Sequence, residues 1–404
     1  MSAQPRLAFV IPRLVCGGVE MFLLRLCPHL RARGFDVEIV TTEEPGAWFD
    51  RVASEVKTVH IDGAAQFPRC WHPLRVGRYL AQGGYDMVFL NGDRLAQESL
   101  TMLPDRVVAA PIIHSDRVTA YRIACANSEA WNVAVAIGPK LLQTARESLP
   151  QRPIVSIMHG VELPEEDAFL HRVAMTGDEL RVIYVGRLIQ SVKNVMVLPE
   201  IIRRCRSGGV NARLTIVGDG PDRAALESLV EGFSLADCVE FAGEVPPTEV
   251  YRLFLAHHVA VLPSFYEGLG LVLAEGQACG CVPVASLLPG VTTPVVKTGR
   301  TGWLVRVNDV EGFVAALKRL HADPPGWAAM SAAGHARASR FFSLERMVDR
   351  YVTLIEDALA GKYPLPRSRR GRLPVDPALY WRECVPPWAK AAGRRVLRRG
   401  AAAG

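Results

Sequence analysis

The sequence predicts an α/β chain of two doubly wound domains, each a parallel sheet covered by helices on both faces. Three observations carry this. The chain has 404 residues, more than one hydrophobic core usually serves. Two stretches each repeat a strand–loop–helix rhythm, which implies parallel strands with crossover helices. Between them, "PEEDAFLHRVAMTGDEL" (164–180) loses strand periodicity and turns acidic, as a connection would.

The first rhythm opens with "LAFVI" (7–11), a short apolar run suited to a buried strand. "PRLVCGGVE" is then a glycine-bearing loop, and "MFLLRLCPHLRAR" has helical apolar spacing with Gly34 placed as its C-cap. "FDVEIVT" follows as a strand, with further strands at 85–90, 110–114, 133–137 and 153–157. The second rhythm places strands at 180–186, 212–218, 238–243, 259–264, 281–286 and 302–305. "SLERMVDRYVTLIEDALA" closes it as a helix with Ser343 at the N-cap. The expected organisation is a first domain over 1–170, a second over 171–342, a helix over 343–360 packing back toward the first, and a tail over 361–404.

Composition narrows the function classes. With 49% hydrophobic and 22% charged residues the chain is globular in character. No apolar run approaches the roughly 18 to 20 residues of a membrane span. The apolar stretch Leu7–Ile11 is too short for a signal-peptide core. Nine cysteines without a C-x-x-C pair indicate neither a disulfide framework nor a zinc site, so the cytoplasm is the expected compartment. The net charge of +6 is unevenly spread: from Gly361 on, eleven Lys/Arg face only Asp376 and Glu383, whereas the other 360 residues hold 36 basic and 39 acidic groups. A nearly neutral body argues against nucleic acid as a partner. The tail, with Tyr380, Trp381 and Trp388 among its basic residues, reads either as a solvated, disordered extension or as a contact for anionic lipid headgroups.

The most informative stretch is "VAVLPSFYEGLGLVLAEGQACGCVPVAS" (259–286), where Glu267 and Glu275 stand in otherwise apolar or glycine surroundings. A strand, the turn "FYEG", a helix from near Leu269 to Gly280 and a further strand are expected. Gly268 and Gly270 permit close backbone approach, and the N–H groups of Gly270, Leu271 and Val272 have no helical partner. Free N–H groups at the positive end of a helix dipole, on the carboxyl edge of a parallel sheet, form a seat for phosphate. Carboxylates repel phosphate but accept strong hydrogen bonds from sugar hydroxyls. A nucleotide sugar combines both features; a capping glutamate followed by a salt-bridged helix glutamate is the plainer alternative, and the residues alone leave both open. A glycosidase pair needs carboxylates about 5 to 9.5 Å apart, and eight helical residues rise about 12 Å, which disfavours it.

"EGLGLVLAE" with "ACGCVPVAS" closely resembles the E-x7-E signature of retaining, GT-B-fold glycosyltransferases of family 4, departing from its usual form at Leu269 and at Gly276-Gln277. The resemblance spans residues 5 to 360, is strongest over 180–305 and thin over 40–130, the region that in the family forms the acceptor surface. It implies two Rossmann-like domains in which Glu275 bonds the nucleotide ribose, Glu267 the donor-sugar hydroxyls, and the 270–272 amides the diphosphate. "YVGRLIQSVKN" resembles the family's G-R-[LI]…K motif, which implies that Arg187 and Lys193 stabilise the leaving diphosphate; as isolated cations they could equally be solvated charges. "CGGVE" resembles the G-G-x-E loop, whose Gly17 and Gly18 amides would face the donor phosphates, and otherwise is an ordinary strand-to-helix turn. "PIIHSDR" places His114 where the family has a histidine beside the reacting carbon, with Asp116 close by. Backbone groups near Glu244 and Val245 would read the nucleobase edge. Gly218 and Gly220 in "IVGDGPDR" serve the turn, and His159 in "MHGVELP" receives no role.

The expected reaction is therefore transfer of a hexose-type sugar from a nucleoside diphosphate sugar to an acceptor hydroxyl, saccharide or lipid-linked, with retention. No cofactor and no metal are expected, because no convincing D-x-D site is present. A nucleotide-sugar epimerase, a phosphorylase, or a non-catalytic scaffold of a polysaccharide assembly are the alternatives.

Overall fold

The computed structural model describes residues 4–15, 17–62, 71–115, 117–176 and 178–369. The chain divides into two compact units, one comprising residues 1–137, 141–157 and 348–404, the other residues 138–140 and 158–347.

In the first unit seven strands form one sheet: β1 (Arg6–Ile11), β2 (Asp36–Thr41), β3 (Lys57–His60), β4 (Met87–Leu90), β5 (Val108–Ile113), β6 (Ala134–Ala136) and β7 (Ile154–Ser156). They lie in the order β3-β2-β1-β4-β5-β6-β7 with every pairing parallel. β1, β4 and β5 are buried almost throughout, as strands covered on both faces must be. The strand β3 has no counterpart in the sequence reading. It is a four-residue edge strand with half-exposed side chains, so it shows neither an apolar run nor alternation.

In the second unit six strands pair in parallel: β8 (Glu179–Val185), β9 (Asn211–Val217), β10 (Val239–Gly243), β11 (Val259–Leu262), β12 (Val282–Ser286) and β13 (Trp303–Val305). Their order is β10-β9-β8-β11-β12-β13. In both sheets the winding direction reverses between two adjacent strands: β1 and β4 in the first, β8 and β11 in the second. Loops leaving the carboxyl ends of such a pair diverge to opposite faces and open a crevice, which is where ligands of doubly wound sheets bind.

The connection between the rhythms belongs to the second unit from Met158 on, upstream of the boundary expected at 170. Val161 explains this locally: its N–H donates to the Phe342 carbonyl (2.7 Å) and its carbonyl accepts from Leu344 N–H (2.9 Å). The Pro324–Phe342 helix stops there, and the Leu344–Leu359 helix starts after Ser343, whose hydroxyl accepts from Arg346 N–H at 3.4 Å. That helix passes from the second unit into the first at Val348.

Residues 361–368 are mostly exposed, but the segment is anchored at Arg369. Arg369 is 1% exposed. Its Nε donates to the Ala130 carbonyl (2.8 Å), Nη1 to those of Pro104 and Val107 (both 2.9 Å), and Nη2 to Asn132 Oδ1 (3.2 Å). Its own N–H and the Ser368 hydroxyl both donate to Asp105. The strap lies at the amino edge of β5 and β6, because those partners immediately precede the two strands. The remainder of the basic tail, 370–404, lies outside the described residues.

Candidate functional site

The crevice between β8 and β11 is built from two loops that clasp each other. After β8 the chain turns through Gly186 and Arg187 into the short Gln190–Lys193 helix, which ends on Asn194 in the left-handed region (φ 53°). The Asn194 side chain donates to the Pro263 carbonyl (3.3 Å) and to Asn308 Oδ1 (3.1 Å). The loop after β11 answers: Phe265 and Tyr266 N–H both donate to the Val192 carbonyl, at 3.0 and 3.2 Å. With the backbones tied, Lys193 Nζ reaches Glu267 Oε1 at 2.7 Å, and the Ser264 hydroxyl donates to the same oxygen at 2.7 Å. The Glu267 side chain is 8% exposed and that of Lys193 22%. The carboxylate is therefore fixed from one side and its charge is matched.

Arg187 stands apart from this pair. Its side chain is exposed and, among the described residues, forms no ion pair or hydrogen bond. Its backbone is firmly held: the carbonyl accepts from the buried Tyr184 hydroxyl at 3.1 Å. Burial, together with the nearby Glu267 charge, pushes that phenol well above its ordinary range. Gly218 and Gly220 complete the support. A Cβ at Gly218 would run into the Gly186 carbonyl oxygen, and one at Gly220 into that of Leu188. Leu188 N–H donates to the Asp219 carbonyl at 2.9 Å. The two glycines thus seat the arginine loop, and their role is steric.

Gly270, at φ 68°, is the N-cap of the Leu271–Ala278 helix. The left-handed turn aims the start of this helix at the same edge, so the Leu271 and Val272 N–H groups form its open end. Glu275 lies one turn further on, half-buried. The departures at 276–277 have packing reasons. A Cβ at Gly276 would stand 3.1 Å from that of Ala260, and Gln277, fully buried, donates from Nε2 to the Thr301 carbonyl (3.1 Å) and hydroxyl (3.0 Å). Glu244 (exposed) and Val245 (half-buried) follow β10 at the same sheet edge, where Gly218 N–H donates to the Gly243 carbonyl at 2.7 Å. Arg187, Lys193, Glu244, Val245, Glu267, Gly268, Gly270, Leu271, Val272 and Glu275 therefore all belong to one carboxyl edge.

Gly17, Gly18 and His114 belong to the carboxyl edge of the other sheet. Gly17 is the extended N-cap (φ −168°) of the Gly18–Ala32 helix, and a Cβ on it would meet Glu20 Oε2 at 2.6 Å. Glu20 is buried and its Oε1 accepts from Val15 N–H at 3.4 Å, folding the loop back over the helix start. His114 directly follows β5; its Nε2 lies 3.0 Å from Asn91 Oδ1, and Phe22 packs edge-on against its ring at 5.6 Å. Burial lowers its pKa to about 3, so the imidazole is neutral. Asp116 lies outside the described residues. His159 is buried in the second unit.

The sequence reading missed Ser264, Asn194 and Asn91. Ser264 and Asn194 lie inside quoted stretches without having been singled out, and a small polar residue at the end of a strand in a doubly wound sheet is the signal that could have found Ser264 and Asn91. Among the described residues no group of three or more His, Cys, Asp or Glu could hold a metal ion, and no helix is long and apolar enough to cross a membrane.

Residues 179–323 match the family model for glycosyl transferases group 1, and residues 16–101 that for glycosyltransferase family 4. A Salmonella typhimurium glycosyltransferase provisionally named for colanic acid biosynthesis is 34% identical over 175 residues, 42% of either chain. The D-inositol 3-phosphate glycosyltransferase of Acidothermus cellulolyticus is 33% identical over 205 residues, 47% of this chain and 44% of that one. The chain is thus matched over less than half the length of these curated relatives. Anabaena HepE, solved in complex with UDP and glucose, superposes with a TM-score of 0.71 at 16% identity, over 88% of this chain and 100% of HepE. By both segment matches and by the architecture of its two sheets, the chain belongs to the GT-B-fold, family 4-like glycosyltransferases.

Proposed function

We propose that the protein moves a hexose-type sugar from a nucleoside diphosphate sugar to an acceptor hydroxyl, with retention at the anomeric carbon and without a metal. The observation that carries this reading is the β8/β11 crevice, where an unpaired Arg187, the Lys193–Glu267 pair and the start of the Leu271–Ala278 helix share one edge. Cations and free N–H groups suit a diphosphate, and a fixed carboxylate suits sugar hydroxyls.

In this reading the diphosphate rests on the 270–272 amides, Glu275 accepts from the ribose hydroxyls, and the backbone beside Glu244 and Val245 meets the base. As the bond from the anomeric carbon to phosphate oxygen breaks, negative charge grows on the diphosphate, and Arg187 and Lys193 stabilise it where it appears. Glu267 holds the sugar, with its charge matched by Lys193 before the substrate arrives. The departing phosphate oxygen takes the proton of the incoming acceptor hydroxyl on the same face. Gly17, Gly18 and His114, on the first unit, take the donor-side roles that the resemblance implies.

The relative named for colanic acid biosynthesis and the complex of HepE with UDP and glucose support a uridine nucleotide donor and a role in polysaccharide or glycolipid synthesis. The acceptor is then a saccharide or a lipid-linked one. The basic tail would hold the protein at an anionic membrane surface from the cytoplasmic side. Co-sedimentation with anionic vesicles tests this, using a chain ended after Arg369 so that the packed strap survives; equal binding would remove the idea.

The deciding experiment compares wild-type protein with Arg187→Ala. Loss of transfer with an unchanged fold supports the enzyme reading, and an α-linked product from an α-linked donor supports retention. Full cellular function of the variant would favour a scaffold.

A further inference from the structure

We propose that the outer edge of β7 is a docking site for an extended, acidic segment of a separate protein, which adds to the first sheet as a further strand. β7 ends the strand order of that sheet, so one of its edges has no strand beside it. A cleft of about 380 Å³ lies along it, within the size range of ligand pockets. Its lining includes one face of the Leu344–Leu359 helix, where Arg350, Leu354 and Asp357 recur at helical spacing. Arg146 completes the set of cations, and every lining residue belongs to the first unit. None of them has a part in the sugar transfer described above.

The backbone of β7 is committed on one side only. Ala134 N–H donates to the Pro153 carbonyl (3.0 Å) and Ile157 N–H to the Ala136 carbonyl (3.1 Å), so residues 153, 155 and 157 face β6. Alternate residues of a strand turn to opposite neighbours, hence Ile154 and Ser156 direct their N–H and C=O groups outward. The Ile154 carbonyl accepts from Arg146 Nη2 at 3.4 Å, a long contact. Among the described residues the Ile154 N–H and both Ser156 backbone groups have no partner. Open backbone along an edge is a template for a further strand.

Charge selects the occupant. Of the charged groups lining the cleft, Asp357 is matched by Lys362 at 2.7 Å. Among the described residues Arg350 forms no ion pair or hydrogen bond, and Arg146 meets only the Ile154 carbonyl. Two cations therefore face the cleft without a carboxylate, and an acidic side chain on the incoming segment supplies one. Leu354 and Ile157, both buried, give an apolar side chain of that segment its floor. Pairing β7 with β7 of a second copy would set arginines against arginines. The chain's own tail is basic and carries the same sign of charge as the cleft.

Panning a random seven-residue peptide library on phage against the full-length protein tests this, with Ser156→Pro panned in parallel. Proline at 156 removes an outward N–H and is tolerated on an edge strand. Sequences enriched on the wild type alone should carry at least one Asp or Glu. The most enriched peptide, synthesised, should slow amide exchange at Ile154 and Ser156 of the wild type. Its affinity should fall about tenfold or more with Arg350→Glu, and similarly with Ser156→Pro. No enrichment over Ser156→Pro, enrichment of basic sequences, or binding indifferent to Arg350→Glu would overturn the proposal. A wild-type dimer that Ser156→Pro dissociates would overturn it too, by assigning the edge to a second copy. The exchange measurement decides even where a variant does not fold, because a bound peptide that leaves both amides unprotected refutes strand addition.

Discussion

Replacing Arg369 by alanine should loosen the amino edge of β5 and β6 and leave the second unit intact. The guanidinium donates to three backbone carbonyls and to Asn132 Oδ1, and is 1% exposed. Truncation strands the Ala130 and Val107 carbonyls, leaves the Pro104 carbonyl with Val107 N–H and Asn132 Oδ1 with Ala109 N–H, and removes a large packed side chain. Hydrogen bonds from a charged donor contribute roughly 1.5 to 3 kcal/mol each. They are not additive, and holding a charge out of water offsets part of the gain; burial already lowers this arginine's pKa to about 10. We expect a net loss of about 4 kcal/mol, near the upper end for single substitutions. Arg369→Lys should recover less than half, since an ammonium cannot place donors in the guanidinium's planar fork. A chain of two units need not unfold in one step, so the assay is hydrogen exchange of peptides covering 104–110 and 128–135. A loss of about 4 kcal/mol corresponds to roughly a thousandfold faster exchange there. A chain ended at Gly361 should match Arg369→Ala, and one ended after Arg369 should match the wild type. Less than tenfold acceleration, or an equal effect from both truncations, would refute the reasoning.

Asp93 supplies a pH test. It caps the Arg94–Ser99 helix by accepting from Ala96 N–H at 2.9 Å and also accepts from the Thr42 hydroxyl, but burial dominates and raises its pKa to about 6. The folded state therefore holds the proton more tightly than the unfolded one. Stability from this group is complete below about pH 4 and is lost as pH rises to about 6, a change of about 3 kcal/mol. Asp93→Asn keeps the cap and removes the titration, so its urea midpoint should exceed wild type at pH 7 and not at pH 4; parallel profiles would contradict the assignment. At the Lys193–Glu267 pair, Lys193→Met should destabilise the second unit by about 2 kcal/mol by stranding a buried carboxylate. Adding Glu267→Gln should restore the stability without restoring donor affinity. Recovery of both would make the pair purely structural.

Much of the architecture was legible because a doubly wound sheet writes its strands as short apolar runs. The runs at 7–11, 259–264 and 281–286 coincide with β1, β11 and β12 to within two residues at each end. The reversal of winding was not legible: no residue states that β8 lies beside β11 instead of β10. Nor was the ion pair between Lys193 and Glu267, which are 74 residues apart, although both were singled out for their chemistry. Arg187 and Glu275 were singled out through motifs, whereas Asn91 carries no motif and stands out only through its contact with His114. The strap was hidden by its composition. In "PRSRRGR" Arg369 is indistinguishable from its neighbours, and a run of arginines reads as solvated. Only the carbonyls of Pro104, Val107 and Ala130, brought together by the turns before two strands, separate it from them.

The central claim is that the β8/β11 crevice holds a nucleoside diphosphate. Calorimetric titration of the protein with UDP, GDP and ADP in the absence of divalent metal tests it most directly, repeated with Arg187→Ala and Glu275→Ala. The account predicts selective binding of one nucleotide, weakened about tenfold or more by either substitution through loss of a charge-assisted contact. Binding of none of the three, or binding indifferent to both substitutions, would contradict it.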